Sequence, residues 1–329
     1  MSLHPRIVIT GAAGFIGGRL LESFAGTHPA ADLLAVDHPL RPDRPAPQDT
    51  FPGIPFLDHA AFLQRLEAGE LDPEVIVHMG ACSSTTETRW SYLAENNVGY
   101  SQRLWSWCAR RKRRLIYASS AATYGDGSAG FDDEADPARL VPLNLYGRSK
   151  HEFDLWVRAE VAAGHPVPAQ SVGLKFFNVF GDGESHKGRM ASMVFHGYHQ
   201  ILQTGIVRLF QSHREGYTDG GQLRDFISVE DVVSVVRDLE RHPEISGLFN
   251  LGTGRARSFR DLTEAVFQAL GRTPRIEYIP MPEDLRERYQ YFTEATMRKL
   301  GAAGIVYSPT PLEVAVGRYV TRLRNPPAH

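Results

Sequence analysis

The chain opens on a short β-branched run, Arg6 to Thr10, that stops at Gly11. Phe15, Ile16, Leu20, Leu21 and Phe24 then recur at helical spacing, so the first unit reads as strand, glycine turn and helix. Apolar runs at Leu33 to Val36, Phe56 to Asp58, Val75 to His78, Leu115 to Ala118 and Val172 to Phe177 repeat the strand pattern. Helical periods separate several of them, at Ala60 to Leu71, at Trp90 to Arg111, and from PLNLYGRSK through about Ala162. Strand and helix in alternation predict an α/β chain with a Rossmann-type doubly wound parallel sheet.

Beyond Phe177 the pattern loosens. The polar stretch NVFGDGESHKGRMASMVFH reads as a substrate loop entering a helix near Met190, and Leu209 and Phe210 end a short strand. Residues 212–223, SHREGYTDGGQL, have no hydrophobic face and read as a flexible loop and candidate lid. Arg224 to Phe226 open a further strand and helix, Leu248 to Leu251 and Ile276 to Ile279 are strands, and Ser258 is placed to cap a helix from Phe259 to Leu270. The expected division is a dinucleotide-binding domain over residues 1–177, rejoined by strands around 224–252. A smaller α/β substrate domain covers most of 178–329. The tail NPPAH is expected to be disordered.

Composition narrows this little. At 329 residues the chain suits a large α/β domain with a second lobe. A net charge of −2 gives no electrostatic case for nucleic acid or an anionic membrane. No apolar run is long enough to span a bilayer, and the N-terminus lacks a signal-peptide core. Cys82 and Cys108 make neither a disulfide framework nor a metal cluster, and none of the 13 histidines falls in a motif such as HExxH. No metal is expected, and the expected location is the cytoplasm.

The candidate chemistry sits where strands end. GAAGFIG, with Gly11, Gly14 and Gly17, lets backbone approach a pyrophosphate at a helix N-terminus. Asp37 ends the second strand, where an acid takes the adenosine ribose hydroxyls of NAD. Arg41 and Arg44 follow, and either bind the 2′-phosphate of NADP or lie in a solvated loop. Asp58 ends the third strand near the adenine. The small residues of MGACSSTTE leave room for a ligand after the fourth strand. Ser120 follows the fifth, either as a catalytic hydroxyl or as a cap of the next turn. Residues 126–140 read as a loop over the site. Tyr146 and Lys150 lie four apart on one helix face, where an ammonium favours a phenolate and lowers its pKa.

GAAGFIGG, GACSSTTE, YASSAATYG, PLNLYGRSK, FFNVFG, HKGRMAS, LRDFISVEDV, GLFNLGTGRA and RYQYFT stand in one order. The chain so resembles the extended short-chain dehydrogenase/reductases, and among them the ADP-L-glycero-D-manno-heptose 6-epimerases. The resemblance implies that Gly11, Gly14, Phe15, Ile16 and Gly17 hold the cofactor pyrophosphate. Gly80, Ala81, Cys82, Ser83 and Asn97 (or Asn96) pass along the cofactor, and Ser84 meets the substrate. Ser120, Tyr146 and Lys150 are implied as catalytic, with Lys150 also on the nicotinamide ribose. Lys187 is implied as a second base beside the cofactor, Asn178 and Val179 border substrate and cofactor, and Arg189, His196, Phe210, Arg224 and Tyr289 meet the substrate. The implied partner is a nucleotide-diphosphate sugar in a homo-oligomeric enzyme, and the cofactor is NADP or NAD. Lys187 as a solvated lysine or a diphosphate ligand remains an alternative. Arg189 replaces a small hydroxyl residue of the family, and the 212–223 insertion lengthens a loop the family uses at the sugar nucleotide. Rival readings are an epimerase or reductase of another nucleotide sugar, and a non-catalytic dinucleotide sensor.

Overall fold

The computed structural model describes residues 3–38, 50–286 and 289–325. Arg41, Arg44 and most of the NPPAH tail lie outside the described residues.

Seven parallel strands form the central sheet: β1 (Ile7–Thr10), β2 (Leu33–Asp37), β3 (Phe56–Asp58), β4 (Val75–His78), β5 (Arg114–Ser120), β6 (Gln170–Phe176) and β10 (Gly247–Leu251). Their order is β10-β6-β5-β4-β1-β2-β3. Strand order reverses between β1 and β4, and open α/β sheets bind ligands at that crevice. Side chains alternate across a strand, so β1 sends Ile7 and Ile9 to one face and Val8 to the other. The first face packs on Leu20, Leu21 and Phe24 of the helix Phe15–Ala25 and on Val232, Val235 and Leu239 of the helix Val229–Arg241. The second face packs on Phe62 and Leu66 of the helix His59–Glu67 and on Leu104, Trp105 and Cys108 of the helix Tyr100–Arg111.

The stretch 224–252 divides. β10 joins the large sheet beside β6, whereas β9 (Leu223–Ser228) lies between β7 (Asn178–Phe180) and β11 (Ala256–Ser258) in a three-stranded sheet. β8 (Val207–Phe210) pairs with β12 (Ile276–Ile279). A separate core forms where the helices Met193–Thr204, Phe259–Ala269 and Leu312–Arg324 meet. Ser258 caps the middle one in a capping box with Asp261. The last helix carries Leu312, Val316, Tyr319 and Val320 on its buried face, a helical period that the sequence reading passed over.

The helix expected from Trp90 to Arg111 contains a π-helical segment, Ala94–Gly99, between Trp90–Leu93 and Tyr100–Arg111. Such a bulge shifts side chains relative to an unbroken α-helix, and here it holds both candidate asparagines.

Candidate active site

One cleft runs along the carboxyl ends of β1, β4 and β5 and is closed on the far side by the residues after β6 and β7. Gly11, Gly14, Phe15, Ile16, Gly17, Asp37, Gly80, Ala81, Cys82, Ser83, Ser84, Ser120, Tyr146, Lys150, Asn178, Val179 and Lys187 all line it.

The glycine turn fits a pyrophosphate for steric reasons. Gly11 has φ +70°, and a Cβ there would stand 2.7 Å from the Gly80 nitrogen; at Gly17 it would stand 2.0 Å from the Gly11 oxygen. The helix that follows has Gly14 as its N-cap with no side-chain cap, so its first N–H groups face the cleft. Asp37 closes the turn, with Oδ2 accepting from the Ala13 N–H at 2.8 Å and Oδ1 from the His38 N–H at 2.7 Å.

Asp58 does not reach the cleft. Its Oδ1 caps the helix His59–Glu67 by accepting from the Ala60 and Ala61 N–H groups at 2.9 and 3.3 Å, and His59 lines the cleft instead. The His59 ring lies 3.9 Å from that of His38, between centroids. Of the two asparagines, Asn96 lines the cleft and Asn97 is fully buried behind Cys82. Sequence spacing could not separate them, because the π-helical segment sets which one turns inward.

Ser120 holds both roles the sequence left open. Its Oγ accepts from the Ala122 N–H at 3.1 Å, capping the short turn Ala121–Tyr124, and the same side chain stands beside the Tyr146 phenol in the cleft and acts to lower its pKa. Burial raises the phenol pKa above its usual value, and the Ser120 hydroxyl partly offsets this. The Lys150 ammonium is occupied elsewhere, donating to the Ala118 carbonyl at 2.8 Å. Burial lowers the Lys150 pKa to about 8, with the Asp154 carboxylate acting in the opposite direction.

Beneath this group lies a buried ion pair that the sequence did not announce. Lys175 Nζ donates to Asp154 Oδ2 at 2.9 Å and to Thr123 Oγ1 at 2.6 Å. Ser119 Oγ donates to the same Asp154 oxygen at 2.7 Å, and Thr123 Oγ1 donates to the Ser120 carbonyl at 2.8 Å. The pair thus fixes the end of β5, from which Ser120 projects. Asp225, also buried, accepts from the Thr253, Gly254 and Ala295 N–H groups and ties two loops to β9.

Lys187 comes from the turn Ser185–Met190, with Nζ 5.1 Å from the centre of the Phe15 ring, and burial lowers its pKa. It shares the cleft with His186, Met190 and Ser192. Arg189, on the same turn, is exposed and does not line the cleft. His196 lies one helical turn further, its N–H bonded to the Ser192 carbonyl. Phe210, Arg224 and Tyr289 form a separate cluster. Arg224 is buried, stacked 5.1 Å over Tyr289 and 5.7 Å over Phe259, and donates to the Leu223 and Gln290 carbonyls. Phe210 meets Tyr289 edge to face at 6.4 Å. Phe259 and Phe226 belong to both regions, so this cluster adjoins the cleft.

Among the described residues no group of histidine, cysteine and carboxylate side chains is arranged to hold a metal ion. No helix among them is long and apolar enough to cross a membrane.

Residues 7–252 match the NAD dependent epimerase/dehydratase family. The ADP-L-glycero-D-manno-heptose-6-epimerase of Nitratidesulfovibrio vulgaris strain DP4 is 46% identical over 316 residues, covering 95% of this chain and 96% of that protein. The Fusobacterium nucleatum protein of the same name is 43% identical, covering 95% and 96%. Among solved structures, the Helicobacter pylori ADP-L-glycero-D-manno-heptose-6-epimerase superposes with a TM-score of 0.78 at 27% identity, covering 99% of this chain and 98% of that one.

Proposed function

Because this chain belongs to the NAD dependent epimerase/dehydratase family, in its ADP-L-glycero-D-manno-heptose 6-epimerase branch, we propose that it inverts C6 of an ADP-glycero-manno-heptose by transient oxidation to a ketone. The observation that carries this reading is the presence of two proton-transfer groups from separate elements in one cleft. Tyr146, beside Ser120, comes from the helix Leu145–Ala162, and Lys187 comes from the turn after β7.

A carbinol carbon with no acidic neighbouring hydrogen cannot be inverted by deprotonation alone. The bound nicotinamide supplies reversible hydride transfer at that carbon, so none is consumed over the cycle. Gly11, Gly14 and Gly17 are suited to hold its pyrophosphate, and Lys150 its nicotinamide-side ribose. The ketone must turn about C5–C6 between the two halves, which carries its oxygen from one position to another. One acid/base group cannot serve both positions equally well. Tyr146 serves the first, where Ser120 donates to the developing oxyanion, and Lys187 serves the second. Asn178, exposed to the cleft, and buried Arg224 with Tyr289 are assigned to the sugar nucleotide.

For the cofactor we favour NAD over NADP. The Asp37 carboxylate is held against the glycine turn by the Ala13 N–H and is also bonded by the N–H of His38 beside it, where it suits ribose hydroxyls and repels a 2′-phosphate.

The test is incubation of the purified protein with ADP-D-glycero-D-manno-heptose while the C6 configuration is followed by NMR. Interconversion without net NADH formation is expected. Cofactor-loaded protein that leaves C6 unchanged would exclude this substrate. Steady consumption of reduced cofactor would instead mark a reductase.

A further inference from the structure

We infer that Glu184 is the positioning residue of Lys187: its carboxylate ties the two ends of the segment that carries the lysine and places a negative charge near this ammonium. The inference rests on the reading of Lys187 as a proton-transfer group.

Glu184 is fully buried. Its Oε1 accepts from the Gly181 N–H at 3.3 Å and from Ser192 Oγ at 2.6 Å, and its Oε2 accepts from the Ser192 N–H at 2.6 Å. Gly181 begins the segment and Ser192 ends it, since Ser192 Oγ caps the helix Met193–Thr204 at the Phe195 N–H. The Glu184 carbonyl accepts from the Lys187 N–H at 2.9 Å, so the same residue holds the turn at its ends and at its middle. Tyr319, from the C-terminal helix, lies near the carboxylate, whose charge adds to burial in raising the Tyr319 pKa. Gly181 and Gly188 have φ +141° and +53°, and at Gly181 a Cβ would meet Val229 at 2.7 Å. A backbone this contorted needs a fixed internal anchor, and a buried carboxylate with several donors is a strong one.

Charge follows the same geometry. Removal from water lowers the Lys187 pKa, and the Glu184 carboxylate opposes that fall. The other charged groups nearby are accounted for. Asp182 is paired with Arg19 and Arg322, Glu230 faces Tyr319, and His186 and Arg189 flank Lys187 on its own turn.

The test is Glu184→Gln, with the Lys187 ammonium titrated through its side-chain Cε resonance in cofactor-loaded protein and assigned by its loss in Lys187→Arg. The midpoint should fall by about one pH unit or more in Glu184→Gln, because a nearby opposite charge is removed. A midpoint unchanged from the wild type overturns the inference. If Glu184→Gln does not fold, Glu184→Asp decides. It keeps the charge but withdraws it by one methylene, so turnover should fall at least about tenfold while the ammonium midpoint stays near the wild type. Wild-type turnover in Glu184→Asp overturns the inference. The titration needs no sugar substrate, so a shifted midpoint in a protein that fails to epimerise the heptose rejects the substrate reading and leaves this one standing.

Discussion

The Asn97 side chain grips Cys82 at both of its backbone groups. Oδ1 accepts from the Cys82 N–H at 2.8 Å, and Nδ2 donates to the Cys82 carbonyl at 3.0 Å. Nδ2 also donates to Ser149 Oγ at 2.9 Å, and Ser149 Oγ donates to the Tyr146 carbonyl at 2.7 Å. One buried amide thus joins the cofactor-side strip after β4 to the helix that carries Tyr146 and Lys150.

Asn97→Ala should therefore disturb both. Two half-buried backbone groups of Cys82 lose their partners, which costs about 2 kcal/mol. Urea unfolding should record that loss. The protein as purified should also retain less nicotinamide cofactor by mass spectrometry. Wild-type stability and cofactor content together would show that the grip is dispensable.

His78 makes stability depend on acid. Ser101 Oγ spends its proton on the Asn97 carbonyl, so it accepts from His78 Nε2–H at 2.9 Å. That leaves His78 Nδ1 as the acceptor for the Thr10 hydroxyl at 2.7 Å, a neutral tautomer fixed from both sides. Burial lowers its pKa from 6.5 to about 3. A base held neutral in the fold binds its proton only on unfolding. Stability is therefore complete above the unfolded pKa and is lost as pH falls below it, at about 1.4 kcal/mol per pH unit. Between pH 7 and pH 5 the wild type should lose about 2 kcal/mol more than His78→Gln, measured by urea unfolding of both. Parallel losses would exonerate the histidine.

The fold was largely legible from strand and glycine positions, because parallel strands buried on both faces leave short apolar runs that end in turn residues. Tyr146 and Lys150 were named from type and spacing, Ser120 and Lys187 from the family resemblance, and the fold brings all four into one cleft. What stayed hidden depended on long-range packing. Lys175 and Asp154 lie on a strand and a helix, and nothing local tells that their charges meet beneath Ser120. Asn96 and Asn97 are adjacent in sequence, and only the π-helical segment decides which faces the cleft. The phenol and the ammonium are coupled less directly than their spacing suggests, for a related reason. An i,i+4 spacing brings two side chains to one face, but the Ala118 carbonyl competes for the ammonium.

Lys150 should set an alkaline limit on turnover. Its ammonium is the charge that would favour a Tyr146 phenolate, and burial lowers its pKa to about 8. Below that pH the cation is present; above it the amine is neutral and the phenolate loses its support. Single-turnover hydride transfer, followed by nicotinamide absorbance, should fall as pH rises through about 8. A rate that climbs steadily past pH 9 would place the controlling ionisation on another group.

The polar insertion is held more firmly than its composition predicts. Ser212 N–H donates to Asp219 Oδ1 at 2.8 Å, Gly220 N–H to the Phe210 carbonyl at 3.0 Å, and Arg260 to the Asp219 carbonyl at 2.7 Å. Its tip rests on Tyr291. The phenol lies 2.9 Å from His213 Nδ1, the Tyr217 ring packs at 4.8 Å, and the Arg214 guanidinium lies 5.6 Å from the Tyr291 ring centre. Tyr291 in turn meets Tyr289, which stacks on Arg224. The insertion is thus one wall of the aromatic and cationic cluster beside the cleft, where a flexible loop and candidate lid was expected. Tyr291→Ala should free the tip and leave the central sheet intact. Hydrogen exchange over residues 212–217 should quicken about tenfold or more, while exchange in β1 and β5 stays at the wild-type rate. Rapid exchange across 212–217 already in the wild type would restore the lid.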